Sequence, residues 1–372
     1  MDKNEKKKKR YTQLQHLLTG LLTICAALLL AIGVYGFSVW FTDYAEEERI
    51  RQEAAETIRY AMEHSGIGRD EAQKLIREGI PQEEEEDAPP PIVSVDESFV
   101  ESYGSVLPEI RETTFINSTC AILIERESGQ ILYEKDADRS TYPASLTKVM
   151  TAVLGIELHP DMESIITITD SMLAGLLEAN ASQVGFAPGE EVKYIDLLHG
   201  LLLPSGADAA NAIAVTCAGS VEKFVELMNE KAADLAMTGT HFTNVHGLHD
   251  VTMRTTAADM AKLFQYALGF DTFREIVGKP FHTTAATNFH SDGITFYSTM
   301  FSMLDVTELP NGAVIMGGKT GTTTPAGQCL ASYCTLGDHE FILVTLGAFG
   351  YNTEQHFNAE DAVKLYGLIK LE

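Results

Sequence analysis

Apolar and polar positions divide the chain into stretches of different texture. The first is a run from Leu17 to Phe41, 25 positions without a charged side chain. At 1.5 Å per residue such a helix exceeds the ~30 Å hydrocarbon core of a bilayer. It is longer than the apolar centre of a signal peptide, the competing reading. Lys6 to Arg10 precede it, and Asp43, Glu46, Glu47 and Glu48 follow it. The positive-inside rule then places residues 1–16 in the cytoplasm and the rest of the chain outside, with residues 17–41 in the lipid bilayer. Trp40 and Tyr44 fall where an interfacial aromatic belt is expected.

Residues 42–112 read as a stalk. Ile50, Ala54, Ile58 and Ala61 repeat at helical spacing among charges, as far as Ser65-Gly66-Ile67-Gly68. A second short helix, 69–78, leads to Glu83–Asp87 and Pro89-Pro90-Pro91, an extended and self-repelling linker. Two heptads favour a solvated stalk over a coiled coil.

From residue 113 to 372 the texture is that of a folded domain. Cys120–Ile124 is a buried-strand run, Glu127–Gln130 a turn and Ile131–Tyr133 a second strand. Helical patterns cover 145–158, 194–203, 207–218, 221–235 and 256–268. A long irregular stretch follows, then strand-like runs at 313–320, 328–335 and 340–347 and a helix at 357–370. Strands at both ends with helices between them predict an α+β domain with an antiparallel sheet completed by the C-terminal strands, and a helical subdomain.

Charge narrows the function. Lys and Arg total 27 against 53 Asp and Glu, a net charge of −26, so nucleic acid is not an expected partner. Five cysteines without CxxC spacing make no disulfide framework. Small buried thiols are the expectation, with a bridge involving Cys329 or Cys334 open to an extracytoplasmic domain.

Three short motifs carry chemistry. Ser145-Leu146-Thr147-Lys148 places a serine at a helix start with a lysine one turn on, on the same face. Orphan N–H groups there favour developing negative charge. Burial, or Lys319 as a second cation, would lower the Lys148 pKa and free its amine as a base. The bland reading is an N-cap serine beside a solvated lysine. Ser205 follows Pro204 at a turn between two apolar helices, placed to relay a proton or merely to cap the next helix. Lys319-Thr320-Gly321-Thr322 is a strand whose lysine and hydroxyls suit a substrate carboxylate. Gly318 and Gly321 allow a peptide to approach, and the Thr322 N–H is the expected second oxyanion donor.

In this order the motifs resemble the penicillin-binding active-site-serine family, and most closely the D-alanyl-D-alanine carboxypeptidases of peptidase family S11. The resemblance covers residues 115–370. It includes Tyr142–Ala152, Ala187–Glu190, Leu201–Ala210, Thr240–Asp250 with Thr256–Ala261, and Gly318–Gly321 with Ala326-Gly327. It implies Ser145 as acyl-enzyme nucleophile, Lys148 as general base, Ser205 as relay, and Lys319 with Thr320 for carboxylate recognition. It implies a penicillin-binding fold acting on peptidoglycan stem peptides ending in D-Ala-D-Ala, with β-lactams as inhibitors and no cofactor. The chain departs from the family at Ala207, where the second motif normally has Asn. Asp208 and Asn211 are the polar neighbours expected to take over that function. Its N-terminal anchor would replace the family's C-terminal amphipathic helix. His241, His246 and His249 with Asp250 lack a metalloprotease spacing, and no metal is expected. The alternatives are a β-lactamase or esterase of the same fold, or a catalytically weak wall-binding scaffold, which Ala207 motivates.

Overall fold

The run Cys120–Glu125, strand β1, is buried at every position because both of its faces are covered. The computed structural model describes residues 115–177, 179–349 and 355–371. The expected cytoplasmic tail, membrane span and stalk, 1–112, lie outside the described residues, as does Cys25. Among the described residues no helix is long and apolar enough to cross a membrane.

β1 pairs antiparallel with β2 (Ile131–Lys135) on one side. The other elements follow in order: α1 (Thr147–Leu158), β3 (Ile165–Thr167), α2 (Asp170–Leu173), β4 (Glu191–Lys193), α3 (Tyr194–Leu202), α4 (Ala207–Ala218), α5 (Val221–Asp234), α6 (Ala257–Ala267) and α7 (Asp271–Val277). Then come β5 (Phe281–Thr283), β6 (Thr295–Tyr297), β7 (Val314–Thr323), β8 (Gly327–Leu336), β9 (His339–Ala348) and α8 (Phe357–Gly367). The main sheet has the order β2-β1-β9-β8-β7, so the C-terminal strands complete it as expected and β7 is an edge.

Alternation along β1 divides two cores. Cys120, Ile122 and Ile124 face the helical side, while Ala121 and Leu123 face α8. Helix α1 is the centre of the helical side. Its residues Thr147 to Gly155 are all buried, so it is apolar nearly all round rather than amphipathic.

The stretch expected to be irregular holds α7 and the β5–β6 hairpin, and β3 and β4 form another short pair. These strands are three residues long, too short to display a period of two, and α7 is two turns. The helix predicted from 145 begins at Thr147, preceded by a 3₁₀ turn over Ala144–Leu146. Cys120, Cys217, Cys329 and Cys334 are free thiols, so the bridge left open for Cys329 or Cys334 is not formed.

One carboxylate ties α8 to the entrance of β1. Asp361 is 1% exposed and accepts from Asn117 N (2.8 Å), Ser118 N (2.7 Å) and Ser118 Oγ (2.6 Å). Removing it strands buried donors, a loss of about 2–4 kcal/mol. Asp361→Ala should lower the Tm by roughly 5–10 °C in calorimetry, whereas Glu360→Ala on the exposed face of the same helix should move it by less than about 2 °C. Equal Tm values would remove Asp361 from this role.

Candidate active site

Ser145 is the middle residue of the 3₁₀ turn that opens α1, and it is half-exposed while its neighbours are buried. It does not act as a helix cap, because no side-chain cap bond forms at this end of α1. Its hydroxyl instead meets Lys148, whose Nζ lies 3.1 Å from Ser145 Oγ. Lys148 is 2% exposed, and its second contact is a hydrogen bond donated to the His246 carbonyl at 2.6 Å.

Burial lowers the Lys148 pKa from 10.5 to about 7, and the Asp208 charge opposes the shift. A substantial fraction of the amine is therefore neutral at neutral pH. Of the two expected causes, burial is the one that lowers it, and the Lys319 charge is not. The influence is seen at Lys319, which burial first and the Lys148 charge second push well below the usual lysine range.

The loop 244–248 fixes Lys148 from the far side. Asn244 Oδ1 accepts from Gly247 N at 2.7 Å, and Asn244 Nδ2 donates to Leu248 O at 2.9 Å. Gly247 has φ +83°, and a Cβ there would sit 1.9 Å from the Ala144 carbonyl oxygen. His246 is pushed down to about 4, by burial first and the Lys148 charge second, so its ring adds no third cation. This bracing was not legible as a site. In the sequence, the segment Thr240–Asp250 shows only its histidines and its family likeness.

Strand β7 closes the opposite side. The Gly321 backbone lies against the nucleophile turn: a Cβ on Gly321 would stand 2.9 Å from Ser145 N. Lys319 is fully buried and donates to the Thr320 carbonyl at 2.8 Å. The hydroxyls of Thr320 and Thr299 are 2.6 Å apart. Thr322 is exposed and lines a cleft of about 600 Å³ with Pro204, Phe296 and Thr299.

Ser205 follows Pro204. Gly206, not Ser205, is the N-cap of α4, and no side chain caps that end. Ser205 has φ +69°, a left-handed conformation costly for a serine, and its buried Oγ has no hydrogen-bond partner. Of the two neighbours expected to replace the missing Asn, Asp208 is engaged elsewhere, whereas Asn211 keeps a buried Oδ1 without a hydrogen-bond partner. Asp208 accepts from the N–H groups of Val184 (3.0 Å) and Gly185 (2.9 Å). Asn211 donates to the Met172 carbonyl at 3.0 Å.

A sheet edge and a helix start facing one another across this serine–lysine pair define the penicillin-binding DD-peptidase fold. The chain belongs to the D-alanyl-D-alanine carboxypeptidase family, peptidase family S11, whose profile matches residues 108–350. It is 35% identical over 246 residues to D-alanyl-D-alanine carboxypeptidase DacC of Escherichia coli, covering 64% of this chain and 58% of that one. It is 31% identical over 242 residues to DacF of Bacillus subtilis, covering 64% and 59%. The chain thus spans under three fifths of the length of these curated relatives. The crystal structure of the Streptomyces K15 DD-transpeptidase superposes with a TM-score of 0.59 at 27% identity, covering 68% of this chain and 98% of that one.

Gly247→Ala should push Ala144 and displace Ser145, lowering the rate of benzylpenicillin adduct formation about a hundredfold by intact-mass analysis. Gly129→Ala is the control, since Gly129 also has positive φ but faces open space. A Gly247→Ala rate within twofold of the Gly129→Ala rate would show that this contact does not position the serine.

Proposed function

We propose that this chain is a membrane-anchored serine D-Ala-D-Ala carboxypeptidase that trims peptidoglycan stem peptides outside the cell. One observation carries the chemistry: Lys148 Nζ is 3.1 Å from Ser145 Oγ and is buried, with its pKa near 7. Lys148 takes the hydroxyl proton as Ser145 Oγ attacks the carbonyl of the penultimate D-Ala. The Ser145 and Thr322 N–H groups receive the oxyanion. Ser205 passes the proton to the leaving amine, the C–N bond breaks and D-Ala departs. Water then cleaves the acyl-enzyme. Lys319 and Thr320 hold the terminal carboxylate, whose charge complements a buried lysine. β-Lactams acylate the same serine. Residues 17–41 anchor the chain, with the basic tail inside.

Ala207 favours a slow variant of this enzyme over a fully restored one, because the Asp208 carboxylate is bound to the Val184 and Gly185 N–H groups. A lost transition-state hydrogen bond costs roughly 2–4 kcal/mol, about 10²–10³ in rate.

The test combines labelling and turnover. A membrane-impermeant fluorescent penicillin should label the wild-type chain on protoplasts, and both Ser145→Ala and Lys148→Ala should abolish labelling. D-Ala release from a diacylated tripeptide should fall to background in Ser145→Ala and rise about tenfold or more in Ala207→Asn. Wild-type release no faster than that of Ser145→Ala leaves the scaffold reading. Labelling only after the membrane is opened contradicts the outward orientation.

A further inference from the structure

We propose that Asp196, His199 and His282 form a binding site for one first-row divalent cation, best matched by Zn²⁺, which ties α3 to the β5–β6 hairpin. Asp196 and His199 are three apart on α3 and therefore share a face. β5 brings His282 onto them. One ligand atom from each of the three lies within 4.8 Å of the others. Tetrahedral zinc with bonds of about 2.0–2.1 Å needs ligand atoms roughly 3.3 Å apart. Closing that difference requires the half-buried His282 ring to turn out of its stack on His199, so that both in-plane lone pairs meet at one point. Two imidazoles and one carboxylate suit Zn²⁺ better than Ca²⁺ or Mg²⁺.

The surroundings orient these groups as ligands. The His199 Nδ1 is 2.9 Å from the Ile195 carbonyl, which can only accept, so Nδ1 carries the proton and Nε2 the lone pair. Asp196 Oδ2 accepts from Ala285 N at 3.0 Å, which leaves Oδ1 facing His282 Nε2 at 2.6 Å. The two rings stack with centroids 3.5 Å apart and 13° between their planes. Asp196 and His199 are each 3% exposed, while half-buried His282 offers a way in. Burial holds His199 down to about 4, so it stays neutral and able to ligate at neutral pH.

The site already holds a cationic group. Lys279 Nζ lies 3.2 Å from His199 Nε2, on the lone pair a metal would use. Lys279 is half-buried and has solvent to swing into. The metal therefore competes with this amine. On binding, the proton on His282 Nε2 moves to Nδ1 or to water.

The location gives such an ion leverage on the cleft. Beyond His199, the Gly200 carbonyl accepts from Gly206 N at 2.8 Å, which closes the turn holding Ser205. On the other side, β6 carries Thr295, Phe296 and Tyr297, which line the cleft. One ion would clamp two walls of the cleft together.

The test uses the full-length protein, stripped with chelator and titrated with Zn²⁺. It is independent of whether the enzyme hydrolyses peptides. One equivalent should bind, and at a hundredfold excess over Kd the Tm should rise by about 5–10 °C. Co²⁺ should give visible absorption of tetrahedral strength. His282→Ala should weaken binding at least tenfold, whereas Lys279→Ala should tighten it severalfold by removing the competitor. The Lys279→Ala result stands even if His282→Ala fails to fold. A wild type and a Lys279→Ala variant that both keep their Tm in Zn²⁺ would overturn the proposal. So would binding undiminished in His282→Ala, which would place the metal elsewhere.

Discussion

A lysine amine taken out of water and held beside a serine hydroxyl is the constraint around which this domain is arranged. Burial, against the opposing charge of Asp208, brings Lys148 to about 7, and burial requires cover on all sides. That is why α1 is enclosed along its first two and a half turns rather than lying on a surface. Close backbone approach supplies the rest. Gly247 and Gly321 each fit against the turn around Ser145 where no Cβ would. The His246 carbonyl gives the amine an acceptor without adding a counter-charge.

The pocket holds two lysines, and the nearby Asp208 carboxylate spends its hydrogen bonds on the 184–186 backbone. Its charge still raises the Lys148 pKa, so the base is set by two opposed effects of which burial is the larger. Lys319, also depressed by burial, has no carboxylate hydrogen-bonded to it, and its Nζ meets the Thr320 carbonyl. In the proposed reaction, the carboxylate of the peptide supplies the negative charge that this site lacks. The proposed cation site on α3 lies behind this chemistry, where it would set the stiffness of the walls rather than touch the reacting atoms.

The elements that show their period were legible in the sequence. The β8 and β9 strands and the helices from 194 to 267 fall within a residue or two of their predicted ends. The serine–lysine pair was legible because three residues on a helix make one turn, and that spacing needs no tertiary knowledge. Contacts between distant segments were not. Neither Asn244–Gly247 behind Lys148 nor Asp208 turning to Val184 leaves a local pattern. His199 and His282 lie 83 positions apart and meet only because a three-residue strand, too short to announce itself, crosses α3. Burial was one of two causes expected to lower Lys148 and is the one that acts, while the influence between the two lysines is seen on Lys319, because sequence spacing does not say how deeply each amine is buried.

The central claim is that Lys148 is a neutral base near neutral pH, and its protonation can be read directly. The folded pKa lies below the ordinary lysine value, so the neutral amine grows as pH rises through about 7 and is lost below it. ¹⁵N NMR of the lysine side-chain nitrogens, with Lys148 assigned by its absence in Lys148→Arg, follows that titration. The account predicts a midpoint near 7 for this one signal. A Lys148 that remains an ammonium to pH 9 or above would contradict it.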